Sequence, residues 1–196
     1  MSEEILKLIK DKEVQYVDLR FNDLRGKMQH VTFDVSMIDK DIFTEGTMFD
    51  GSSIAGWKAI NESDMVMRPD PKGAHIDPFY QQTTLALFCD ILEPGTLQPY
   101  SRCPRGIAKK AEAYVKSSGA GDVAYFGPEA EFFVFDDVRW STDPNNTGYS
   151  FDSTELPFNT NRAYEGGNLG HRPGPKGGYF PVPPIDSLQD MRGEML

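Results

Sequence analysis

Val14-Gln15-Tyr16-Val17-Asp18-Leu19-Arg20-Phe21 is the stretch whose reading decides the fold. It is rich in β-formers and partly alternates apolar with polar, which predicts a strand. Asn22-Asp23-Leu24-Arg25-Gly26 follows as turn chemistry, and residues 28–33 can return antiparallel. Upstream, Ile5, Leu6, Leu8 and Ile9 form the apolar side of a short opening helix. Downstream, residues 65–68 and 84–91 read as two further strands. A hairpin, a helix and later strands predict a compact α+β unit.

From Ser101 the character changes. Pro104 sits where a helix can begin, and Ile107, Ala108, Ala111, Tyr114 and Val115 fall on one helical face. Gly119 is its stop signal. Residues 123–128 lead into an expected strand over 129–135. These signals place a domain boundary near residues 100–104, giving domains 1–103 and 104–196. Residues 141–184 are polar and dense in Gly, Asn and Pro, so they read as one long loop. Ser187 and Asp190 then make a capping-box-like helix start, so a helix is begun just before the last residue of the sequence.

Composition narrows the function. Hydrophobic residues at 39% and charged residues at 26% are ordinary globular usage. The formal net charge of -10 argues against non-specific nucleic-acid binding, which needs cationic patches. Cys89 and Cys103 have no CxxC spacing, which argues against a disulfide framework and a cysteine zinc site. The start is acidic, and Lys7 and Lys10 break the apolar stretch behind it, unlike a secretory signal. No apolar run approaches the ~20 residues of a membrane span. The expected location is cytoplasmic.

Three segments could carry chemistry. In Gly127-Pro128-Glu129-Ala130-Glu131-Phe132-Phe133-Val134-Phe135, a strand would point Glu129 and Glu131 to one face, Cα atoms ~6.5–7 Å apart. Both faces are largely apolar, so the strand reads as central. Two buried carboxylates there would need compensation, naturally a hard divalent metal. The alternative places both glutamates at an exposed strand start as solvated charges. The second segment, Met48-Phe49-Asp50-Gly51-Ser52-Ser53-Ile54-Ala55-Gly56-Trp57, reads either as an Asp-Gly turn or as a mobile loop presenting an anion and a hydroxyl. The third joins Tyr164-Glu165-Gly166-Gly167-Asn168, Gly170-His171-Arg172-Pro173 and Lys176-Gly177-Gly178-Tyr179-Phe180-Pro181. It is neither a Walker A loop nor a dinucleotide fingerprint. His30, His75 and His171 show no metal-ligand spacing.

Taken together, in this order and at these separations, the three segments resemble glutamine synthetase of the bacterial class I type, along the whole of residues 1–196. The Tyr164 to Pro173 stretch resembles the subtype regulated by adenylylation. The resemblance implies an amino-terminal β-grasp domain followed by the beginning of the catalytic α+β domain. It implies active sites between subunits of a dodecamer of two hexameric rings. It further implies that Glu131 binds the first divalent metal, Mg²⁺ or Mn²⁺, and Glu129 the second. Asp50 and Ser53, reaching in from a neighbouring subunit, would form the ammonium site with Tyr179, and Asp50 would take the proton. The implied reaction joins L-glutamate and ammonium using ATP, through γ-glutamyl phosphate.

The chain is less than half a usual family member, so the resemblance implies an inactive fragment of an active parent. Two alternatives stand beside this. A γ-glutamyl ligase of the same superfamily would accept polyamines or other amines, and a non-catalytic module would only mix into oligomers.

Overall fold

The computed structural model describes residues 2–153, 155, 173 and 177–196. They fall into two compact units, Met1–Phe126 and Gly127–Leu196.

The first unit opens with α1 (Ser2–Asp11), which buries Ile5 and Ile9. Glu3 and Glu4 in its first turn and Lys10 in its last complement the helix dipole. β1 (Tyr16–Asn22) and β2 (Met28–Asp34) form the expected hairpin, in register from Tyr16↔Asp34 to Asn22↔Met28. Its turn is held by Asp23, whose carboxylate accepts from the Arg25 and Lys27 backbone N–H groups at 2.8 and 3.0 Å. The expected strands at 65–68 and 84–91 appear as β4 (Asp64–Pro69) and β6 (Thr84–Leu92). Two strands were not anticipated, β3 (Thr47–Asp50) and β5 (His75–Ile76). The sheet order is β2-β1-β6-β4-β3, with β5 paired to β6. Among the described residues, only β1 and β6 pair in parallel.

The alternation seen in the opening stretch sets the core. Val17, Leu19 and Phe21 are buried, along with Met65, Met67, Leu85, Leu87 and Ile91. Asp18, between two core residues, is fully buried as well. Its charge is met by Arg20 Nε at 2.6 Å, Thr32 Oγ1 at 2.7 Å and His30 Nδ1 at 2.7 Å. Burial pushes this carboxyl up, but the hydrogen bonds from Arg20, Thr32 and His30 outweigh it and hold the group below the usual carboxylate range. Gly46 enters β3 at φ +78°, and a Cβ there would lie 2.5 Å from Val66 Cγ1 and 2.6 Å from the Met67 carbonyl oxygen.

α2 (Pro104–Ser117) begins at the expected proline and ends before Gly119 at φ +73°. Arg105 and Lys109 tie it to the sheet: Arg105 bonds Asp70 and, at 3.0 Å, Asp90, and Lys109 bonds Asp90 at 2.6 Å. The apolar face expected at Ile107, Ala108, Ala111, Tyr114 and Val115 is largely in solvent, Ile107 51% and Tyr114 71% exposed. The periodicity is real, but the side facing the sheet is the one with Cys103, Arg105 and Lys109.

The second unit departs further from expectation. Residues 129–135 form no strand, and Glu129, Glu131, Phe132, Phe133 and Phe135 are exposed. A strand persists only where a neighbour satisfies its backbone, and no described segment pairs with this one in a ladder. Within the expected loop over 141–184 lies most of a hairpin, β7 (Asp137–Asp143) with β8 (Asn146–Asp152). Its strands are joined by the two-residue turn Pro144-Asn145, and its cross-strand pairs include Trp140↔Tyr149. The polar residues between those aromatics hid the period of two. α3 (Gln189–Met195) starts after Leu188 rather than at Ser187. Asp186 organises that start, accepting from the Leu188 N–H at 3.3 Å and pairing with Arg192. The motif residues 164–168, 170–172 and 176 lie outside the described residues.

Candidate functional site

Asp50 ends β3 and caps the 3-10 turn Gly51–Ser53. One carboxylate oxygen accepts from the Ser52 N–H at 2.8 Å and the Ser52 hydroxyl at 2.6 Å. The other accepts from the Ser53 hydroxyl at 3.3 Å. The Ser52 hydroxyl, then the Ser52 N–H, hold the Asp50 carboxyl below its usual range. Asp50 and Ser53 are nevertheless exposed. The result is a fixed anion, with a hydroxyl beside it, turned to solvent.

The turn is anchored from below. The Gly51 N–H donates to the Ser63 carbonyl at 2.7 Å, and Gly51 is so enclosed that a Cβ would meet Met65 Sδ at 2.6 Å. Ile54 and Trp57 are buried three and six residues on. Trp57 packs against Phe21, Phe49 and Tyr100, with ring centroids 5.3, 6.3 and 5.3 Å away. The segment expected as a turn or a mobile loop is a turn pinned at both ends by core contacts. Turn chemistry and a presented anion turn out to be compatible.

The other candidates lie in the second unit. Glu131 lines a cleft of about 500 Å³ together with Phe132, Phe180, Asp186 and Arg192. Glu129 does not line it. Tyr179 is 83% exposed and packs its ring on Phe180 at 4.4 Å. Asp50 and Ser53 are thus brought together in one unit, and Glu129, Glu131 and Tyr179 belong to the other.

Carboxylate oxygens at Glu129 and Glu131 are the donor type that hard divalent ions prefer. The number is short, because an octahedral site takes six donors. Among the described residues no group of three His, Cys, Asp or Glu side chains is placed to hold a metal. The two glutamates suit part of a ligand set and do not complete one. Sequence reasoning missed the Asp186–Arg192 pair at this cleft, and their spacing across a helix start was the available signal. No described helix is long and apolar enough to cross a membrane.

Comparison with known proteins bears on both units. Residues 13–94 match the glutamine synthetase β-grasp domain and residues 101–196 the glutamine synthetase catalytic domain. The chain belongs to the glutamine synthetase family. It is 71% identical over 195 residues to a glutamine synthetase of Bradyrhizobium diazoefficiens, a match covering 100% of this chain and 42% of that protein. It is 55% identical over 194 residues to the glutamine synthetase of Salmonella typhimurium, covering 99% of this chain and 41% of the relative. A cryo-electron-microscopy structure of Plasmodium falciparum glutamine synthetase superposes with a TM-score of 0.76 at 25% identity, covering 100% of this chain and 39% of that one. The chain therefore spans about 42% of the length of the Bradyrhizobium relative, and the family's fold, a β-grasp domain followed by the beginning of a catalytic domain, extends across it.

Proposed function

We propose that the full-length protein carrying this sequence is a glutamate–ammonia ligase, joining ammonium to the side chain of L-glutamate with ATP through γ-glutamyl phosphate. The observation that carries this reading is the Asp50 carboxylate, fixed by Ser52 and Ser53 on an anchored turn of a family β-grasp domain. A carboxylate held below its usual range stays ionised at neutral pH, which suits it to attract a small cation. The same depression makes it a weak base in the open chain. Closure of the site against water would raise its proton affinity, so proton removal from ammonium belongs to the closed, loaded state. Ser53 and Tyr179 would supply oxygen atoms around the bound cation.

Glu129 and Glu131 would be two of the ligands for divalent ions, Mg²⁺ or Mn²⁺, with Glu131 at the first and Glu129 at the second. Such ions neutralise charge on a phosphoryl group in transfer. The remaining donors would come from outside the described residues. We place the domain boundary at 103/104, with α2 opening the catalytic domain, and the working assembly as a cytoplasmic dodecamer of two hexameric rings. In it, Asp50 and Ser53 would serve a neighbouring subunit's site. The 196-residue chain by itself would be inactive.

The test is glutamine formation from L-glutamate, ATP and ¹⁵N-ammonium by the full-length protein, with ethanolamine offered as a competing acceptor. Labelled glutamine with no ethanolamine adduct supports the reading. Preference for the larger amine replaces it with a γ-glutamyl–amine ligase.

A further inference from the structure

The turn that carries Asp50 and Ser53 is fastened to residues 93–103 at three points. Trp57 packs on Tyr100. Lys58 pairs with Glu93 at 2.8 Å and lies over the Tyr100 ring at 5.3 Å. Arg102 donates from a single guanidinium nitrogen to the carbonyl oxygens of Gly56 and, at 3.3 Å, Trp57.

These ties do different things. The buried indole N–H of Trp57 has no hydrogen-bond partner among the described residues, so that ring is held by packing, which is non-directional. Lys58 is an ammonium on a flexible stem, and it grips side chains. Only Arg102 addresses the backbone, where it catches two successive carbonyls with a charged donor. That fixes the direction in which the chain leaves the turn three residues after Ser53. Arg102 also stands immediately before Cys103 and Pro104, where α2 begins.

We infer that Arg102 is a positioning residue for the cation subsite at Asp50 and Ser53, tying the geometry of that turn to the start of α2. The inference rests on the proposed reading of Asp50 as part of an ammonium subsite. Arg102 touches no reacting atom in this account. It acts by holding the backbone on which the carboxylate and hydroxyl are mounted, where a displacement of about 1 Å is enough to cost a large factor in rate.

The experiment uses the full-length protein with Arg102→Met, Arg102→Lys, Lys58→Met and Asp50→Asn, measuring kcat and the KM values for ammonium, ATP and glutamate. Arg102→Met is expected to raise the ammonium KM about tenfold while the ATP and glutamate values stay within about twofold. Arg102→Lys should recover part of the loss, keeping a charged donor but on a more flexible stem. Lys58→Met should have the smaller effect. An ammonium KM unchanged in Arg102→Met, a common rise in all three KM values, or an equal effect of Lys58→Met overturns the positioning role. If Asp50→Asn raises the ammonium KM and Arg102→Met does not, only this inference falls. If Asp50→Asn is itself silent, the subsite reading beneath it falls.

Discussion

The two units of this chain are built to different degrees of self-sufficiency. Every buried apolar side chain among the described residues lies between Ile5 and Cys103. In the second unit the buried side chains among the described residues are Asp152 and Ser153, both polar, while Phe133, Tyr179 and Phe180 stand 74%, 83% and 87% exposed. The first unit thus closes a core around its own sheet. The second carries apolar residues suited to burial against neighbours that the described residues do not supply. Hydrophobic burial at about 25 cal/mol per Å² is available to the first and largely forgone by the second. The difference teaches that a candidate site can be preformed in one part of a chain, at Asp50, while another part, at Glu129 and Glu131, waits for its surroundings.

The largest expected effects concern activity and cross this divide. In the full-length protein, Asp50→Asn and Glu131→Gln should each lower kcat/KM by roughly 10²–10³, one acting from each unit. Glu131 is exposed, so Glu131→Gln should leave the unfolding midpoint of this chain in place. Asp50→Asn keeps an oxygen to accept from the Ser52 N–H but loses the charge at the cap of the 3-10 turn, so it should lower the midpoint only slightly. A large shift for either would blur the contrast between a preformed site and a waiting one.

Stability should separate the units next. Asp18→Ala removes the buried acceptor of Arg20, Thr32 and His30, and should destabilise the first unit by about 3 kcal/mol in denaturant unfolding. Because the Asp18 carboxyl is held below the usual range, its contribution is fully present above the unfolded-state value of about 4. It is lost as pH falls below that value toward the folded one. The Asp18→Ala chain should therefore lose less stability than the parent on acidification over that interval.

Gly46→Ala is expected to cost about 2 kcal/mol, because its Cβ would strike both Val66 and the Met67 backbone at a positive φ. The smallest effect sharpens the comparison most. Trp140→Ser, on the exposed face of β7, should change the stability of this chain by under about 0.5 kcal/mol. A large loss there would mean that the second unit has a core after all.

What could be read from sequence follows the same division. The alternation of Val17, Leu19 and Phe21, with turn residues behind it, was enough for the hairpin, because those residues bury against their own sheet. The strand expected at 129–135 failed because period alone cannot supply a neighbour, and the apolar face of α2 stood in solvent for a related reason. β7 and β8 were hidden by polar residues between Trp140, Tyr149 and Phe151. At the candidate site, Asp50 and Ser53 were legible as a pair, since an Asp-Gly-Ser-Ser run brings them close by local geometry. Long-range partners such as Arg102, 46 residues from Gly56, left no local signal.

The central claim is that the full-length protein makes glutamine at a site to which this chain contributes only part. The most direct measurement is ¹⁵N-glutamine formation by the full-length protein and by the 196-residue chain, side by side, with equal ATP, L-glutamate and Mg²⁺. The account predicts labelled product from the first and none from the second. Product from the short chain, or none from the full-length protein, would contradict it.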